Sequence, residues 1–364
     1  MIKSLLHTIS FLFLLTSISM AVPLEQKIGQ MLMVGFYGTT ASSESPICKD
    51  IRRYNIGAVI LFDYNPTDKS KPKNIFSKNQ VTKLTKQLQK CTNDGKLLIA
   101  VDQEGGKVQR LKKKYDGFYG EFPKASSVVK MNQSQIYNTY KKMSKELKSS
   151  GINYNLAPVV DLDINKKNHV IHGLGRSFGK NPKMVASYAR TFIGAMHSYG
   201  VLTSLKHFPG HGSSMGDTHK GFVDVTTLWK PKELEPYKLL IDVADTVMVA
   251  HVFNKNIDST YPASLSYKSI TGKLRKELGY KGVVITDDLQ MGAISLKYSM
   301  QETLKLAINA GNDILLIGNQ LGKTKKLKTK KLIELIVKMV KSGNIKSSTI
   351  ENAYLRIRKL KQKL

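Results

Sequence analysis

The sequence predicts an α/β protein folded as a single-domain (β/α)8 TIM barrel. Three observations favour this architecture: short apolar runs rich in β-branched residues recur along the chain, helix-prone segments separate them, and glycines close several of those segments. Alternating strands and helices are typical of a parallel sheet covered by helices, and eight such units make a barrel of ordinary length. A chain of 364 residues with 41% hydrophobic residues can bury such a core.

Eight apolar runs can be placed as strands, with helices between them. The predicted strands are 28–36, 56–62, 97–103, 154–162, 201–208, 246–252, 282–289 and 313–318. The clearest helix-prone segments are 78–91, 134–149, 183–199, 266–278 and 300–310, and the closing glycines are Gly151, Gly200, Gly279 and Gly311. The alternative is a doubly wound open sheet, but no G-x-G-x-x-G follows the first predicted strand.

The barrel domain is expected to span residues 22–320, with C-terminal helices at 321–364 packing on it. These helices are predicted over 325–342 and 347–363, which are rich in lysine and helical in period. The Lys/Asn-rich stretch 64–78 is predicted to be a long exposed loop. Neither a linker nor a repeat indicates a second domain.

The first residues, MIKSLLHTISFLFLLTSISMA, have the features of a secretory signal peptide. A lysine precedes an apolar core at Ile9 to Leu15, and Ser19-Met20-Ala21 suits signal peptidase. An uncleaved anchor is the alternative, but this core is shorter than the roughly 20 residues that span a bilayer. We therefore expect a periplasmic or secreted protein with no membrane span after cleavage of residues 1–21.

The chain is strongly basic, with a net charge of +30 from 57 Lys and Arg against 27 Asp and Glu. Such a charge can attract an acidic partner, or it can be spread over solvated helix faces. The lysines are dispersed and no nucleic-acid-binding motif is present, so nucleic acid is not a predicted partner. The two cysteines, Cys48 and Cys91, lack metal-site spacing; two free structural thiols are favoured over a disulfide.

Polar residues collect where the predicted strands end, which is where a (β/α)8 barrel places its active site. One or two of them could cap the following helices, but capping does not account for residues on five strands. The residues at these ends are Asp102, Glu104 and Arg110 after the third strand, Asp161 and Asp163 after the fourth, Lys206 and His207, His251, and Asp287 and Asp288.

The segment KHFPGHGSSMGDTHK at 206–220 concentrates histidine, lysine and aspartate. Its proline and glycines predict a loop, which disfavours the helical histidine pair of a metal site, and its glycine spacing does not match a phosphate-binding loop. Asp217 and His219 lie two residues apart, so the carboxylate can orient one ring nitrogen while the other transfers a proton. With a carboxylate at the seventh strand and many donors for hydroxyl groups, the set suits cleavage of a glycoside.

These residues carry a resemblance to a known family. The motifs KHFPGHGSSMGDTHK, AVDQEGGKVQR, GRSFG and GVVITDDLQMGAI resemble the β-N-acetylglucosaminidase, or β-hexosaminidase, branch of glycoside hydrolase family 3, from about residue 24 to about 320. The resemblance implies a retaining two-step reaction in which Asp287 is the nucleophile and His219, held by Asp217, is the acid/base. It implies no metal and no organic cofactor.

The resemblance also implies a set of sugar-binding residues and a substrate. We expect a monomeric, exo-acting enzyme that removes terminal N-acetylglucosamine from peptidoglycan fragments, as in peptidoglycan recycling, or from chito-oligosaccharides. The alternatives are a phosphorylase, a broader β-glucosidase, and a non-catalytic protein that binds cell-wall sugars. The implied sugar-binding residues are Asp102, Arg110, Arg176, Lys206, His207 and His251, whereas His211 is assigned to the architecture of the loop.

Overall fold

A computed structural model describes residues 22–321 and 326–364, and its centre is a barrel of eight parallel strands. The predicted signal peptide lies outside the described residues. A parallel bridge between Ile285 and Ile314 closes the barrel. In chain order the strands are β1 (Leu32–Gly35), β2 (Ala58–Ile60), β3 (Leu98–Val101), β4 (Tyr154–Asn155), β5 (Leu202–Phe208), β6 (Val223–Asp224), β7 (Thr246–Val249), β8 (Val252–Phe253), β9 (Val283–Thr286) and β10 (Leu315–Ile317).

The barrel strands follow each other around the sheet in the order β10-β1-β2-β3-β4-β5-β7-β9, while β6 and β8 form a separate parallel pair. The strands are shorter than predicted, but each of the eight predicted runs contributes one barrel strand. Their residues are buried throughout, as in β5, because helices cover the outside of the sheet. The predicted (β/α)8 TIM barrel is confirmed.

Helices surround the barrel, and polar caps set where several of them begin. The side chain of Ser77 accepts a hydrogen bond from the backbone of Gln80 at the start of α3, and Asn132 and Gln135 form a capping box at α5. The helices are α1 (Leu24–Gln30), α2 (Pro46–Tyr54), α3 (Lys78–Lys90), α4 (Ala125–Val128), α5 (Gln133–Ser149), α6 (Pro182–His197), α7 (Glu235–Leu240), a π-helical segment (Lys268–Glu277), α8 (Gly292–Ser295), α9 (Met300–Ala310), α10 (Thr329–Lys341) and α11 (Ser347–Lys361).

The start of the first predicted strand is wrong, because residues up to Gln30 belong to the short helix α1. Ile28 and Gln30 of this helix are buried, and Gln30 donates a hydrogen bond to the carbonyl oxygen of Asn55 at 2.7 Å. Both α10 and α11 contact α1. A short apolar helix and a strand cannot be distinguished by periodicity alone, which explains the error.

The pairing of the cysteines also corrects an expectation, because Cys48 and Cys91 form a disulfide with their Cα atoms 5.2 Å apart. The bond joins the first turn of α2 to the end of α3, which lie far apart in sequence. The predicted exposed loop at 64–78 is likewise wrong in part, since Lys73 and Asn74 are buried. The Asn74 side chain accepts a hydrogen bond from the backbone of Phe62 at 3.0 Å and so holds this loop against the barrel.

Among the described residues, no helix has the length and apolar character needed to cross a lipid bilayer.

Candidate active site

A cavity of about 620 Å³ opens at the carboxyl ends of the barrel strands. Cavities at this end of a (β/α)8 barrel are where its enzymes carry out their chemistry. Its wall brings together residues of the strands β2, β5, β7 and β10 with residues of the loops that follow the barrel strands. The predicted site residues that line it are Asp102, Arg110, Arg176, Lys206, His207, Asp217, His219 and Asp287.

Lys206 and Asp102 form the centre of a charged network in this wall. The Nζ atom of Lys206 lies 2.9 Å from Asp102 Oδ1 and 2.7 Å from Glu104 Oε1, and Arg110 Nη2 lies 3.2 Å from Asp102 Oδ2. Burial alone would raise the pKa of Asp102, but the charges of Lys206 and Arg110 outweigh this effect and lower it. The network therefore offers fixed charged donors and acceptors to a polar ligand.

Glu104 also holds Arg176 in a two-bond pair, with Nε and Nη2 donating at 2.8 Å each. Burial opposes ionisation of this carboxyl, yet the charges of Arg176 and Lys206 keep its pKa far below the usual range. Sequence reasoning noted Glu104 at the strand end but did not include it in the site. Its position two residues after Asp102, in the same motif, was the available signal.

Lys206 and His207 are consecutive, yet both side chains line the cavity. Successive residues of a regular strand point to opposite faces, but the pairing of β5 with β7 shifts in register between Leu205 and Phe208. His207 Nδ1 lies 2.6 Å from Asp161 Oδ2, and its other nitrogen lies 3.3 Å from Arg176 Nη2. Asp161, which is buried and does not line the cavity, thus orients His207, a role that the sequence did not indicate.

Asp287 follows β9 directly, and its backbone amide donates to the carbonyl of Val249 at 3.0 Å. Burial would raise its pKa, but the neighbouring histidines, His251 and His207 foremost, lower it to about 2. The carboxylate is therefore ionised near neutral pH and is able to act as a nucleophile. The next residue, Asp288, accepts a hydrogen bond from the backbone of Gln290 at 3.1 Å, and burial raises its pKa to about 6.

Asp217 and His219 lie together on the loop between β5 and β6. His219 Nδ1 is 2.9 Å from Asp217 Oδ1, and the backbone amide of His219 donates to the same oxygen at 3.0 Å. Burial opposes ionisation of Asp217, but these two bonds prevail and lower its pKa. With the ionised carboxylate accepting from Nδ1, the Nε2 atom of His219 is left for proton transfer.

The start of this loop, residues 211–214, is held by buried polar contacts. Asn168 donates to the carbonyl of His211 at 2.8 Å, and Ser214 Oγ lies 2.7 Å from His211 Nδ1. Glu233 accepts from the backbone amide of Gly212 at 3.1 Å. His211 is thus held as part of the loop architecture, and burial lowers its pKa to about 4.

The chain is similar to known proteins over most of its length. The model of the Glycosyl hydrolase family 3 N terminal domain matches residues 23–360 of this chain. The chain belongs to glycoside hydrolase family 3. The match includes α10 and α11 as well as all eight barrel strands.

Two curated relatives of this family 3 chain are β-hexosaminidases. The β-hexosaminidase A of Pseudoalteromonas piscicida is 31% identical over 381 residues, covering 94% of this chain and 62% of that protein. The β-hexosaminidase of Xylella fastidiosa (strain 9a5c) is 33% identical over 300 residues, covering 79% of this chain and 83% of that protein. The chain thus spans less than two thirds of the Pseudoalteromonas protein.

Two solved structures have the same fold as this chain. The β-N-acetylglucosaminidase from Paenibacillus sp. str. FPU-7 has a TM-score of 0.83 at 33% identity, covering 94% of this chain and 63% of that one. The β-N-acetylhexosaminidase from Beutenbergia cavernae DSM 12333 has a TM-score of 0.82 at 28% identity, covering 94% of this chain and 99% of that one.

One predicted sugar-binding residue of this family 3 chain does not reach the cavity. His251 is fully buried, its Nδ1 atom lies 2.6 Å from Ser264 Oγ, and its Nε2 atom lies 3.0 Å from the carbonyl oxygen of Asp288. Both ring nitrogens are therefore occupied inside the protein. His251 is not among the residues that line the cavity, and its ring supports the backbone beside Asp287.

The metal alternative for the segment 206–220 finds no support in the geometry of the described chain. Within residues 22–321 and 326–364, no group of three or more His, Cys, Asp or Glu side chains is arranged to hold a metal ion. His207 and His211 instead take Asp161 and Ser214 as their partners.

Proposed function

We propose that this protein is a retaining exo-β-N-acetylglucosaminidase. The observation that carries the proposal is one cavity wall shared by an ionised carboxylate, Asp287, and a histidine, His219, whose Nδ1 atom is held by Asp217. A nucleophile and an oriented proton donor are what glycoside cleavage with retention requires. Relatives named β-hexosaminidase support the choice of sugar.

In the first step, a carboxylate oxygen of Asp287 attacks the anomeric carbon of the terminal sugar. The bond from that carbon to the glycosidic oxygen breaks, and the oxygen takes a proton from Nε2 of His219. The ionised Asp217 stabilises the imidazolium from which this proton leaves. The products of the step are a glycosyl ester on Asp287 and the released aglycone.

In the second step, Nε2 of the now neutral His219 removes a proton from a water molecule. The water oxygen attacks the anomeric carbon, and the bond to Asp287 breaks with its electron pair returning to the carboxylate. Two displacements at the same carbon restore the original β configuration.

The proposed substrates are peptidoglycan fragments and chito-oligosaccharides that end in N-acetylglucosamine. Hydroxyl groups of the terminal sugar would bind the charged network, whose members can both donate and accept hydrogen bonds. We also propose that the protein acts as a monomer in the periplasm or outside the cell, after loss of residues 1–21. The proposed sugar-binding residues are Asp102, Arg110, Arg176, Lys206 and His207.

The test is hydrolysis of an aryl β-N-acetylglucosaminide beside the matching β-glucoside by the wild type, Asp287→Ala and His219→Ala. Loss of the nucleophile should lower kcat by at least about 1000-fold, and loss of the acid/base by about 100-fold or more. Near-wild-type activity of Asp287→Ala would remove it as the nucleophile. A preference for the glucoside would contradict the proposed sugar, and a sugar 1-phosphate as product in phosphate buffer would identify a phosphorylase.

A further inference from the structure

The backbone that follows the proposed nucleophile touches the loop that carries the proposed acid/base. The amide of Gly292 donates to the carbonyl oxygen of His219 at 3.2 Å, and the amide of Ala293 donates to that of Thr218 at 3.0 Å. Gly292 and Ala293 begin α8, only a few residues after Asp287. The two halves of the catalytic machinery are therefore joined by main-chain hydrogen bonds.

The contact at Gly292 has no room for a side chain. A Cβ atom built on Gly292 would lie 2.9 Å from the His219 carbonyl oxygen and 2.9 Å from the carbonyl carbon of Lys220. The φ angle of Gly292 lies outside the left-handed region, so no turn requires glycine here. Close approach of the loop backbone is the feature that requires it.

A second contact holds the end of the same loop. The ring of Phe222 lies 5.3 Å from that of Phe253 in β8, and Lys297, just after α8, places its Nζ atom 5.5 Å from the Phe222 ring. Phe222 is nonetheless 53% exposed. Because the ring is exposed and yet contacts two neighbours, its role is to hold the end of the loop in place and not to fill the core.

We propose that Gly292 is a positioning residue, which holds the loop in the position where Asp217 and His219 face the cavity. Phe222 stabilises the loop in the same position. This inference rests on the proposed function, because it takes the position of the loop to be the one that His219 needs for proton transfer. Cleavage of a poor leaving group needs that proton, whereas cleavage of a good one does not. A displaced loop should therefore slow the cleavage of glycosides with poor leaving groups more than the cleavage of glycosides with good ones.

The experiment compares kcat/KM for phenyl and 2,4-dinitrophenyl β-N-acetylglucosaminides, since this ratio reports the glycosylation step. Gly292→Ala should lower the value for the phenyl glycoside by about tenfold or more, because small displacements of a catalytic group are costly. The value for the dinitrophenyl glycoside should stay within about threefold. Phe222→Ala, at an exposed position, should show the same pattern more weakly and keeps the test open if Gly292→Ala does not fold.

Gly194→Ala in α6 is the matched control, since a Cβ atom there meets nothing within 4 Å. Its kcat/KM for each of the two glycosides should equal that of the wild type. Equal losses on the two glycosides in Gly292→Ala and Phe222→Ala would indicate a general structural defect and overturn the inference. Unchanged values on both would overturn it too. A wild type that cleaves neither of the two glycosides would instead contradict the proposed function, and the inference would fall with it.

Discussion

At the residue scale, Glu104 is the carboxylate that fixes the cations of the cavity. It holds Arg176 through two bonds and Lys206 through a third, and all three side chains are largely shielded from water. Removing the charge of Glu104 takes the ion-pair partner from Arg176 and leaves Lys206 with Asp102 alone. The energetic cost of such a change should greatly exceed that of breaking a similar pair at the surface.

We expect Glu104→Gln to lower the free energy of unfolding by about 3 kcal/mol and kcat/KM by about 100-fold, because Arg176 and Lys206 lose their shared carboxylate. Urea unfolding and steady-state kinetics would measure the two effects. The control is Asp242→Asn, which breaks the exposed pair with Arg190 and should change stability by less than about 0.5 kcal/mol. Similar stability losses in the two variants would contradict the role of burial.

The residues of the site were more predictable than their orientations. Strand ends in a barrel converge, so the positions of Asp102, Lys206 and Asp287 followed from the order of the predicted strands. Whether a side chain points into the cavity depends on strand register, which a sequence does not reveal. For that reason the sequence did not show that the ring nitrogens of His251 point to Ser264 and to the backbone of Asp288. Glu104 was left out of the binding set.

At the element scale, the start of the loop that carries the proposed acid/base is built around the buried side chain of Glu233. Its Oε2 atom accepts from the amides of Gly212 at 3.1 Å and Ser213 at 3.3 Å. Burial raises the pKa of Glu233 to about 7, with a further contribution from the nearby Asp161 and opposition from a hydrogen bond with Ser213. The carboxyl group is therefore easier to bury protonated than ionised.

Glu233→Gln should make the free energy of unfolding less dependent on pH between 4.5, the ordinary pKa, and about 7. Because the folded-state pKa is raised, the stabilising contribution is complete below the lower value and is lost as pH rises through the upper one. The stability of the wild type relative to the variant should fall by about 3 kcal/mol across this window. Urea titrations near both ends would measure it. A flat difference between the wild type and Glu233→Gln would refute the prediction.

The sequence predicted long elements better than short ones. The helices α3, α5, α6 and α9 agree with their predicted ranges to within two residues, because apolar periodicity and polar caps define them. The parallel pair of β6 with β8 was not predicted, since two-residue strands leave no pattern. The buried part of the loop at 64–78 was missed because tertiary contacts, such as those of Asn74, decide its burial.

At the scale of the whole molecule, the excess positive charge lies outside the cavity. Cations and carboxylates occur in similar numbers in the cavity wall, where they pair with each other. Lysines such as Lys83 and Lys86 on α3 and Lys141 and Lys145 on α5 are exposed, and within the described chain none has a carboxylate at ion-pair distance. The charge is thus a property of the outer helices and not of the proposed catalytic site.

The disulfide between Cys48 and Cys91 constrains the whole chain, because it closes a loop with a sequence separation of 43. Joining residues at that distance restricts the unfolded chain, and the loop-entropy relation gives a stabilisation of about 4 kcal/mol as an upper estimate. Neither cysteine lies in the cavity wall. Stability and catalysis should therefore respond to the bond in different ways.

The double variant Cys48→Ser, Cys91→Ser should lose about 2–4 kcal/mol of unfolding free energy while keeping kcat/KM within about twofold of the wild type. Urea unfolding with and without a reductant would check the first expectation: reductant should lower the stability of the wild type and leave the double variant unchanged. An aryl glycoside assay at a temperature where both proteins are folded would check the second. A large loss of activity would mean that the bond also shapes the cavity, since α2 and α3 flank β2, whose Ile60 lines part of its wall.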